Sequence, residues 1–191
     1  KTFIDVYLGH PAEDPAAAME AGVSAAHRYV CEVGRAVPAR RGMGTTLSAL
    51  ILIQDQAHTV QVGDSRVYRL RAGALEQLTR DHTWIEEAVR NGFLRREEAD
   101  THPHRHVLTR AIGGEGEVRP DIETRELEAG DTYLVCSDGL LNHVPDQAIG
   151  RILSENAPSE ACWKLVGQAL LGGGSDNCTV LVVRVDELLE P

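Results

Sequence analysis

The sequence predicts an α+β sandwich of helices and antiparallel strands, and three observations support this prediction. Segments with apolar residues at helical spacing alternate with short apolar runs. Proline stands at the start of several helical segments, and glycine punctuates the segments between the runs. With 191 residues, 42% of them hydrophobic, the chain can bury one sizeable core, so we expect a single domain over 1–191. The order of the segments alone fits several folds.

Four helices are predicted from apolar periodicity and from residues that favour helix starts. The first has Asp14 as its N-cap and Pro15 at its first position, and it ends near Pro38. Two more helices begin with proline, over 145–156 and 158–171. A shorter helix is predicted over 84–92, and the polar, histidine-rich segment 95–106 that follows is predicted to be an exposed flap.

Five apolar runs predict strands. The run 45–53 is nearly continuous, which favours a strand buried on both faces. The runs 58–62 and 66–70 flank Gly63, Asp64 and Ser65, and we expect them to pair as antiparallel neighbours. The remaining strands are predicted over 131–136 and 178–185.

Charge and composition exclude several classes of partner. The formal net charge of −10 argues against a surface that binds nucleic acid or anionic lipid. No apolar stretch approaches the roughly 18 residues that span a bilayer, and no signal peptide opens the chain. The 4 cysteines form no CxxC pair, which indicates buried thiols in a reducing compartment. We therefore expect a cytoplasmic protein without nucleic-acid or membrane partners.

Two aspartates stand near the ends of predicted strands and close to glycine. Asp138 follows the apolar run 133–136 and precedes Gly139, whereas Asp176 comes after three glycines and Ser175 and precedes the run 179–185. An aspartate in either place alone is usually a turn or cap residue. Together, two carboxylates held by strands can share a cation, and oxygen ligands suit magnesium or manganese better than zinc.

Other polar groups favour structural roles. Asp64, beside Ser65 and Arg66, is typical of a turn that stabilises its own hairpin. Arg110 could reach a phosphate, but an ion pair with a buried carboxylate is the favoured interpretation. The alternating histidines at 102, 104 and 106 have poor spacing for zinc ligands, and exposure in the flap explains them better.

Six motifs follow one another along the chain: GMGTT (42–46), VGDSRVYR (62–69), LTRDHT (78–83), LTRAIG (108–113), CSDGL (136–140) and SDNCTV (175–180). Each motif alone is a weak signal, but their order and spacing closely resemble the PPM family of metal-dependent serine/threonine protein phosphatases, the type 2C phosphatases. The resemblance extends from about residue 15 to residue 185. The compact segment between Asp81 and Leu108 is most similar to the bacterial branch.

This resemblance implies a four-layer α-β-β-α architecture and the removal of phosphate from phosphoserine and phosphothreonine in proteins. It implies two Mn²⁺ or Mg²⁺ ions that activate the attacking water. By similarity, Asp138 and Asp176 are ligands of the paired ions, and Asp81 joins Asp138 in holding a third, weaker ion. The flap then covers about 85–107. The expected partners are a phosphorylated protein and the serine/threonine kinase that phosphorylates it.

The chain departs from the family pattern at its start. The family carries an upstream Asp-Gly loop with a bridging carboxylate, and nothing before Pro15 resembles it. We therefore expect an N-terminally incomplete domain that lacks its first strands, with its remaining catalytic residues upstream of Lys1. Two alternatives stay open. One is a pseudophosphatase or regulatory binding module with this fold and no turnover, and the other is a metal-dependent hydrolase of small phosphate esters.

Overall fold

The computed structural model describes residues 1–99 and 102–188. Two helices come first, α1 (Thr2–Gly9) and α2 (Pro15–Ala36), followed by a 3-10 turn at Pro38–Arg40. The later helices are α3 (Trp84–Arg90), α4 (Arg96–Ala99), α5 (Asp138–Leu141), α6 (Asp146–Glu155) and α7 (Pro158–Leu171). The strands are β1 (Leu47–Ile53), β2 (Gln56–Val62), β3 (Arg66–Arg71), β4 (Ala74–Gln77), β5 (Asp121–Glu126), β6 (Thr132–Cys136) and β7 (Val180–Arg184).

The strands form two sheets. One has the order β1-β2-β5 and the other the order β4-β3-β6-β7. In the second sheet every pairing is antiparallel, with Tyr68 opposite Leu134 and Leu134 opposite Val182. The expected pairing of 58–62 with 66–70 is wrong, because β2 and β3 belong to different sheets. The Gly63-Asp64-Ser65 segment is therefore a connection between sheets and not a hairpin turn.

Strand β1 also differs from its prediction. It is only partly buried along its length, and Leu52 is exposed. A continuous apolar run is thus compatible with a half-covered strand, because apolar content by itself does not report how many faces are covered. In contrast, every residue of β2 after Gln56 is buried.

The chain divides into two compact units. The first comprises Lys1–Leu47, Val60–Asp64 and Asp81–Ile122, and the second comprises Ser48–Thr59, Ser65–Arg80 and the residues from Glu123 onward. The expectation of a single domain stays a prediction. The flap expected over about 85–107 lies in the first unit and contains α3 and α4, while its residues 100 and 101 lie outside the described part of the chain.

The first unit is organised around α2. The helix begins as predicted, because the Asp14 side chain accepts a hydrogen bond of 3.0 Å from the amide of Ala16. One face of α2 is buried, and α1 packs against the helix so closely that a side chain at Gly22 would collide with Phe3. His27 on the buried face accepts a 3.2 Å hydrogen bond from the amide of Gly113. The buried residues of α2 are Ala18, Met19, Gly22, Val23 and His27.

The second unit has an apolar core between its helices and the four-stranded sheet. Side chains of β3 and β6 pack there with side chains of α5, α6 and α7, because the apolar faces of these helices turn toward the sheet. Its fully buried members include Tyr68, Leu134, Leu140, Ile149, Leu153 and Leu165. A second cluster gathers Ala57, Val67, Leu78, Leu127, Tyr133 and Val185.

A buried carboxylate fixes the start of β6. Asp131 accepts hydrogen bonds from Arg71 at 2.7 and 2.6 Å, from the Tyr133 hydroxyl at 2.9 Å and from the Glu128 amide at 3.1 Å. Burial alone would raise the pKa of the Asp131 carboxyl, but these donors outweigh it and lower that pKa below its ordinary value. Burial together with the Asp131 contact raises the pKa of Tyr133 to about 12.

The four cysteines are free thiols, as predicted. Cys136 is buried, and burial raises the pKa of its thiol to about 12. Cys31, Cys162 and Cys178 are partly exposed, so the prediction of buried thiols is wrong for these three. No helix among the described residues is both long enough and apolar enough to cross a membrane.

Candidate active site

The segments that carry Asp138 and Asp176 meet in the second unit. The main chain of Ser137 donates a 3.0 Å hydrogen bond to the carbonyl of Thr179, and the amide of Thr179 donates one of 2.9 Å to the Ser137 hydroxyl. The same hydroxyl donates at 3.3 Å to the carbonyl of Asn177. Because each of these residues lies next to, or within three residues of, one of the two aspartates, the contacts bring the two acidic segments together.

Asp138 itself is the first residue of the short helix α5, directly beyond the end of β6. The side chain is half-buried, and Ser137 precedes it in extended conformation. The next residue, Gly139, is fully enclosed, since a side chain there would overlap with the main-chain oxygen of Asn177. Glycine is therefore required for the close approach of the two segments.

Replacing Gly139 with alanine is expected to destabilise the protein by about 1–3 kcal/mol, because the added methyl group meets backbone and not a flexible side chain. Denaturant unfolding measures the change. The matched control is Gly167→Ala in α7, where nothing lies within 4 Å of the added methyl group. That control should stabilise by about 0.5–1 kcal/mol through helix propensity. Equal stability of the Gly139 variant and the wild type would contradict the close approach.

The segment before Asp176 is held by a histidine that the sequence did not single out. Gly172 and Gly173 lie against the ring of His143, and its Nε2 is 3.2 Å from the amide nitrogen and 2.8 Å from the hydroxyl of Ser175. Asp176 is exposed, and its Oδ1 accepts a 2.7 Å hydrogen bond from the amide of Asn177. One carboxylate oxygen is thereby oriented by its own backbone, and the group remains accessible to a ligand.

Asp81 lies in the first unit, whereas Asp138 and Asp176 belong to the second. It is half-buried and occupies the irregular stretch between β4 and α3. Its neighbour His82 is almost fully buried and makes several polar contacts. The residue that follows Asp81 in the chain is thus a buried histidine with polar partners.

His82 is tied to Gly63 by two hydrogen bonds. Its amide donates to the Gly63 carbonyl at 2.8 Å, and the Gly63 amide donates to its Nδ1 at 3.2 Å. Because Nδ1 accepts, the neutral ring carries its proton on Nε2. That nitrogen lies 3.2 Å from Asp121 Oδ2, which is close enough for an electrostatic contact but out of line for a hydrogen bond.

Asp121 links His82 to Arg110. Arg110 Nη1 donates to Asp121 Oδ1 at 2.6 Å, so Arg110 pairs with a carboxylate as predicted. The expectation that this carboxylate is buried is wrong, because both side chains are 35% exposed. Burial alone would raise the pKa of Asp121, but Arg110 and His82 hold it below its ordinary value. Burial lowers the pKa of His82 despite the opposing effect of Asp121, so the imidazole is neutral at pH 7.

The donor chemistry of the three aspartates fits a hard divalent cation. Carboxylate oxygens are the ligands that Mg²⁺ and Mn²⁺ accept, and Mg²⁺ usually takes one or two carboxylates and fills its remaining positions with water or phosphate oxygens. Among the described residues, no three His, Cys, Asp or Glu side chains gather closely enough to form a metal site by themselves. The assignment of Asp138, Asp176 and Asp81 as metal ligands therefore stays a prediction that rests on the chemistry of their oxygens.

The histidines of the flap pack against an aromatic ring. The rings of His102 and His104 lie 5.1 and 5.4 Å from that of Trp84, and 5.3 Å from each other. The amide of His104 also donates to Nδ1 of His102 at 3.1 Å. These contacts show that the two histidines pack on Trp84, whereas the expectation that they do not bind zinc stays a prediction.

A cavity of about 1270 Å³ opens in the first unit between α2 and residues 113–120. His27 and Cys31 lie in its wall, with Nε2 and Sγ 3.5 Å apart. Asp81, Asp138 and Asp176 are not among its lining residues. The cavity is therefore separate from the candidate metal ligands.

Comparisons with known proteins identify relatives in sequence and in fold. The family model described as protein phosphatase 2C matches residues 6–164. The chain is 41% identical over 175 residues to the serine/threonine protein phosphatase PstP of Mycobacterium tuberculosis, a match that covers 92% of this chain and 34% of that protein. The chain thus spans about a third of the length of this relative.

Two solved structures of that phosphatase share the fold. The crystal structure of the M. tuberculosis protein superposes with a TM-score of 0.83 at 37% identity and covers 97% of this chain and 80% of the other. A structure of the PstP catalytic domain in complex with 2 manganese ions gives a TM-score of 0.79 at 37% identity, with 95% and 76% covered. The predicted α+β fold, with two antiparallel sheets flanked by helices, is confirmed.

Proposed function

The chain belongs to the protein phosphatase 2C family, and on that premise we propose that it removes phosphate from phosphoserine and phosphothreonine in proteins. The observation that carries the proposal is the meeting of the Asp138 and Asp176 segments through Ser137, Gly139 and Asn177. This contact brings together the two segments that carry the predicted metal ligands Asp138 and Asp176. The proposed reaction follows from membership of the family. The proposed location of the reaction follows from the contact between the two acidic segments.

We further propose that Asp138 and Asp176 hold a pair of Mn²⁺ or Mg²⁺ ions and that Asp81 contributes to an additional, weaker ion. Such ions neutralise phosphoryl oxygens and lower the pKa of bound water. The manganese complex of the related PstP catalytic domain supports this choice of metal. The role of this chain is to keep the carboxylates oriented: β6 and α5 place Asp138, and the His143 contacts hold the segment that precedes Asp176.

The proposed substrate is a phosphorylated protein, and a serine/threonine kinase is its proposed counterpart, because the phosphate has to be attached before it can be removed. The proposed compartment is the reducing cytoplasm, which the four free thiols support. The local positive charge needed to bind phosphate in a chain of net charge −10 would come from the metal ions.

The test uses the full-length protein that carries this chain. Phosphate release is measured from a phosphothreonine peptide and from a simple aryl phosphate, with Mn²⁺ and after chelation. We expect Mn²⁺-dependent turnover, with the higher kcat/KM on the peptide. Mn²⁺ binding without turnover would identify a binding module with the phosphatase fold. Turnover of the aryl phosphate alone would identify a hydrolase of small phosphate esters.

A further inference from the structure

Three segments of the first unit converge on His82, the residue after Asp81. The segment around Gly63 meets it through the two hydrogen bonds described above, and Thr109 donates its amide to the His82 carbonyl at 2.8 Å. Asp121 lies 3.2 Å from its Nε2. The backbone amide, the carbonyl and Nδ1 of His82 are therefore hydrogen-bonded, whereas Nε2 has only the electrostatic contact with Asp121.

The Gly63 side of this arrangement requires glycine. Gly63 adopts φ +106°, a conformation that residues with side chains rarely adopt, and a side chain there would overlap with Thr46. The carbonyl and the amide of Gly63 both bond to His82. The backbone and the ring of His82 are therefore tied to the same residue.

The chain after His82 is fixed as well. Thr83 forms an isolated antiparallel bridge with Leu108, and its hydroxyl caps α3 by accepting a 3.2 Å hydrogen bond from the amide of Glu86. The backbone is therefore held at His82 and immediately beyond it. The direction in which Asp81 projects depends on this anchored stretch, because only one peptide unit separates it from His82.

We propose that His82 is a positioning residue that orients the Asp81 carboxylate for the weaker divalent ion. The inference rests on the proposed function, since it assumes that Asp81 binds this ion. Groups that orient a metal ligand contribute to affinity without touching the metal, because they remove the alternative positions of the ligand. Asp121 and Arg110 extend the arrangement by holding the far side of the ring.

The experiment measures binding of Mn²⁺ alone to the full-length protein by calorimetry, beside the Mn²⁺ dependence of phosphopeptide hydrolysis. His82→Leu removes both ring contacts and is expected to weaken the weakest Mn²⁺ site by about 10-fold or more. The tighter sites should keep their affinity. The kcat of this variant at saturating Mn²⁺ should stay within about 3-fold of the wild type, whereas the Mn²⁺ concentration for half-maximal rate should rise.

The variant His82→Asn provides the rescue. Its side-chain oxygen can replace Nδ1 as the acceptor for the Gly63 amide, so it should recover part of the lost Mn²⁺ affinity. His27 gives the matched control, because it is also buried in the first unit and its Nδ1 also accepts a glycine amide at 3.2 Å. His27→Leu is expected to lower the melting temperature without changing the weakest Mn²⁺ site.

The outcomes separate the two proposals. A wild-type protein that neither binds Mn²⁺ nor hydrolyses the phosphopeptide overturns the proposed function. If the wild type does both and Asp81→Asn weakens the weakest site, unchanged binding by His82→Leu overturns the positioning role. If Asp81→Asn does not change the Mn²⁺ affinity of the weakest site, Asp81 is not its ligand, and this result overturns the inference as well. Should His82→Leu not fold, wild-type affinity in His82→Asn and in Asp121→Asn together overturns the inference.

Discussion

Replacing Asp138 with asparagine in the full-length protein is expected to lower Mn²⁺-dependent hydrolysis of a phosphothreonine peptide by about 100-fold or more, because removing even an indirect partner of a metal ligand costs about 10–100-fold. The substitution keeps the size and hydrogen-bonding shape of the side chain and removes its negative charge. Steady-state kinetics over a range of Mn²⁺ concentrations, with thermal unfolding of the same samples, provide the measurement.

The substitution also separates a metal ligand from a turn residue. Asparagine serves as well as aspartate at turns and helix starts, so a purely structural Asp138 would tolerate it in both stability and activity. The matched control is Asp146→Asn, because Asp146 also begins a helix of the second unit and keeps an oxygen to accept from Tyr68. We expect near wild-type activity in the control. Full activity in the Asp138 variant would remove this residue from the metal site.

The long helices and most strands could be predicted because their signals are local. Asp14 and Pro15 mark the start of α2 through capping chemistry that needs no partner elsewhere in the chain. Helices α6 and α7 likewise begin beside Pro145 and at Pro158. A helix start can be predicted from sequence because the capping residue and the proline lie in the same few residues whose conformation they determine.

Pairing between strands could not be predicted with the same success. The runs 58–62 and 66–70 are adjacent in sequence, yet β2 pairs with β1 and β5 while β3 pairs with β4 and β6. Strand β5 was missed altogether, because Asp121–Glu126 contains one apolar residue and four of its six residues are exposed. Its strand conformation comes from its neighbours in the sheet and not from its own apolar pattern.

In the candidate site, too, residues with local sequence signals could be singled out, whereas residues defined by distant contacts could not. Asp138, Asp176 and Asp81 were proposed as metal ligands because of nearby glycines, strand ends and the family motifs, and that assignment stays a prediction. His82, Asp121 and His143 were not singled out, since their partners lie far away in the sequence and no spacing rule connects them. One local hint existed: His82 stands in the LTRDHT motif directly after the predicted ligand Asp81.

The largest effect on stability is expected at Asp131. Its side chain is completely buried and accepts from Arg71, Tyr133 and the Glu128 amide. Asp131→Ala leaves these donors without their acceptor and the guanidinium of Arg71 without its buried partner, which typically costs about 3–5 kcal/mol. Arg71 remains 24% exposed and can recover some hydration, so we expect a loss near the lower end of that range. Denaturant unfolding at pH 7 measures it.

Glu128 supplies the control for this last prediction, because it pairs with the same arginine but is 58% exposed. Glu128→Gln should cost less than about 1 kcal/mol, as exposed ion pairs do.

The pH dependence of stability gives a second test of the role of Asp131. The folded pKa of Asp131 lies below its ordinary value of 3.8, so its contribution is present above that pH and is lost as the pH falls through the folded pKa. The stability difference between wild type and Asp131→Ala should therefore be constant from pH 7 to about pH 5 and shrink below about pH 4. A difference that grew on acidification, or equal losses in the two variants, would contradict the burial of this ion pair.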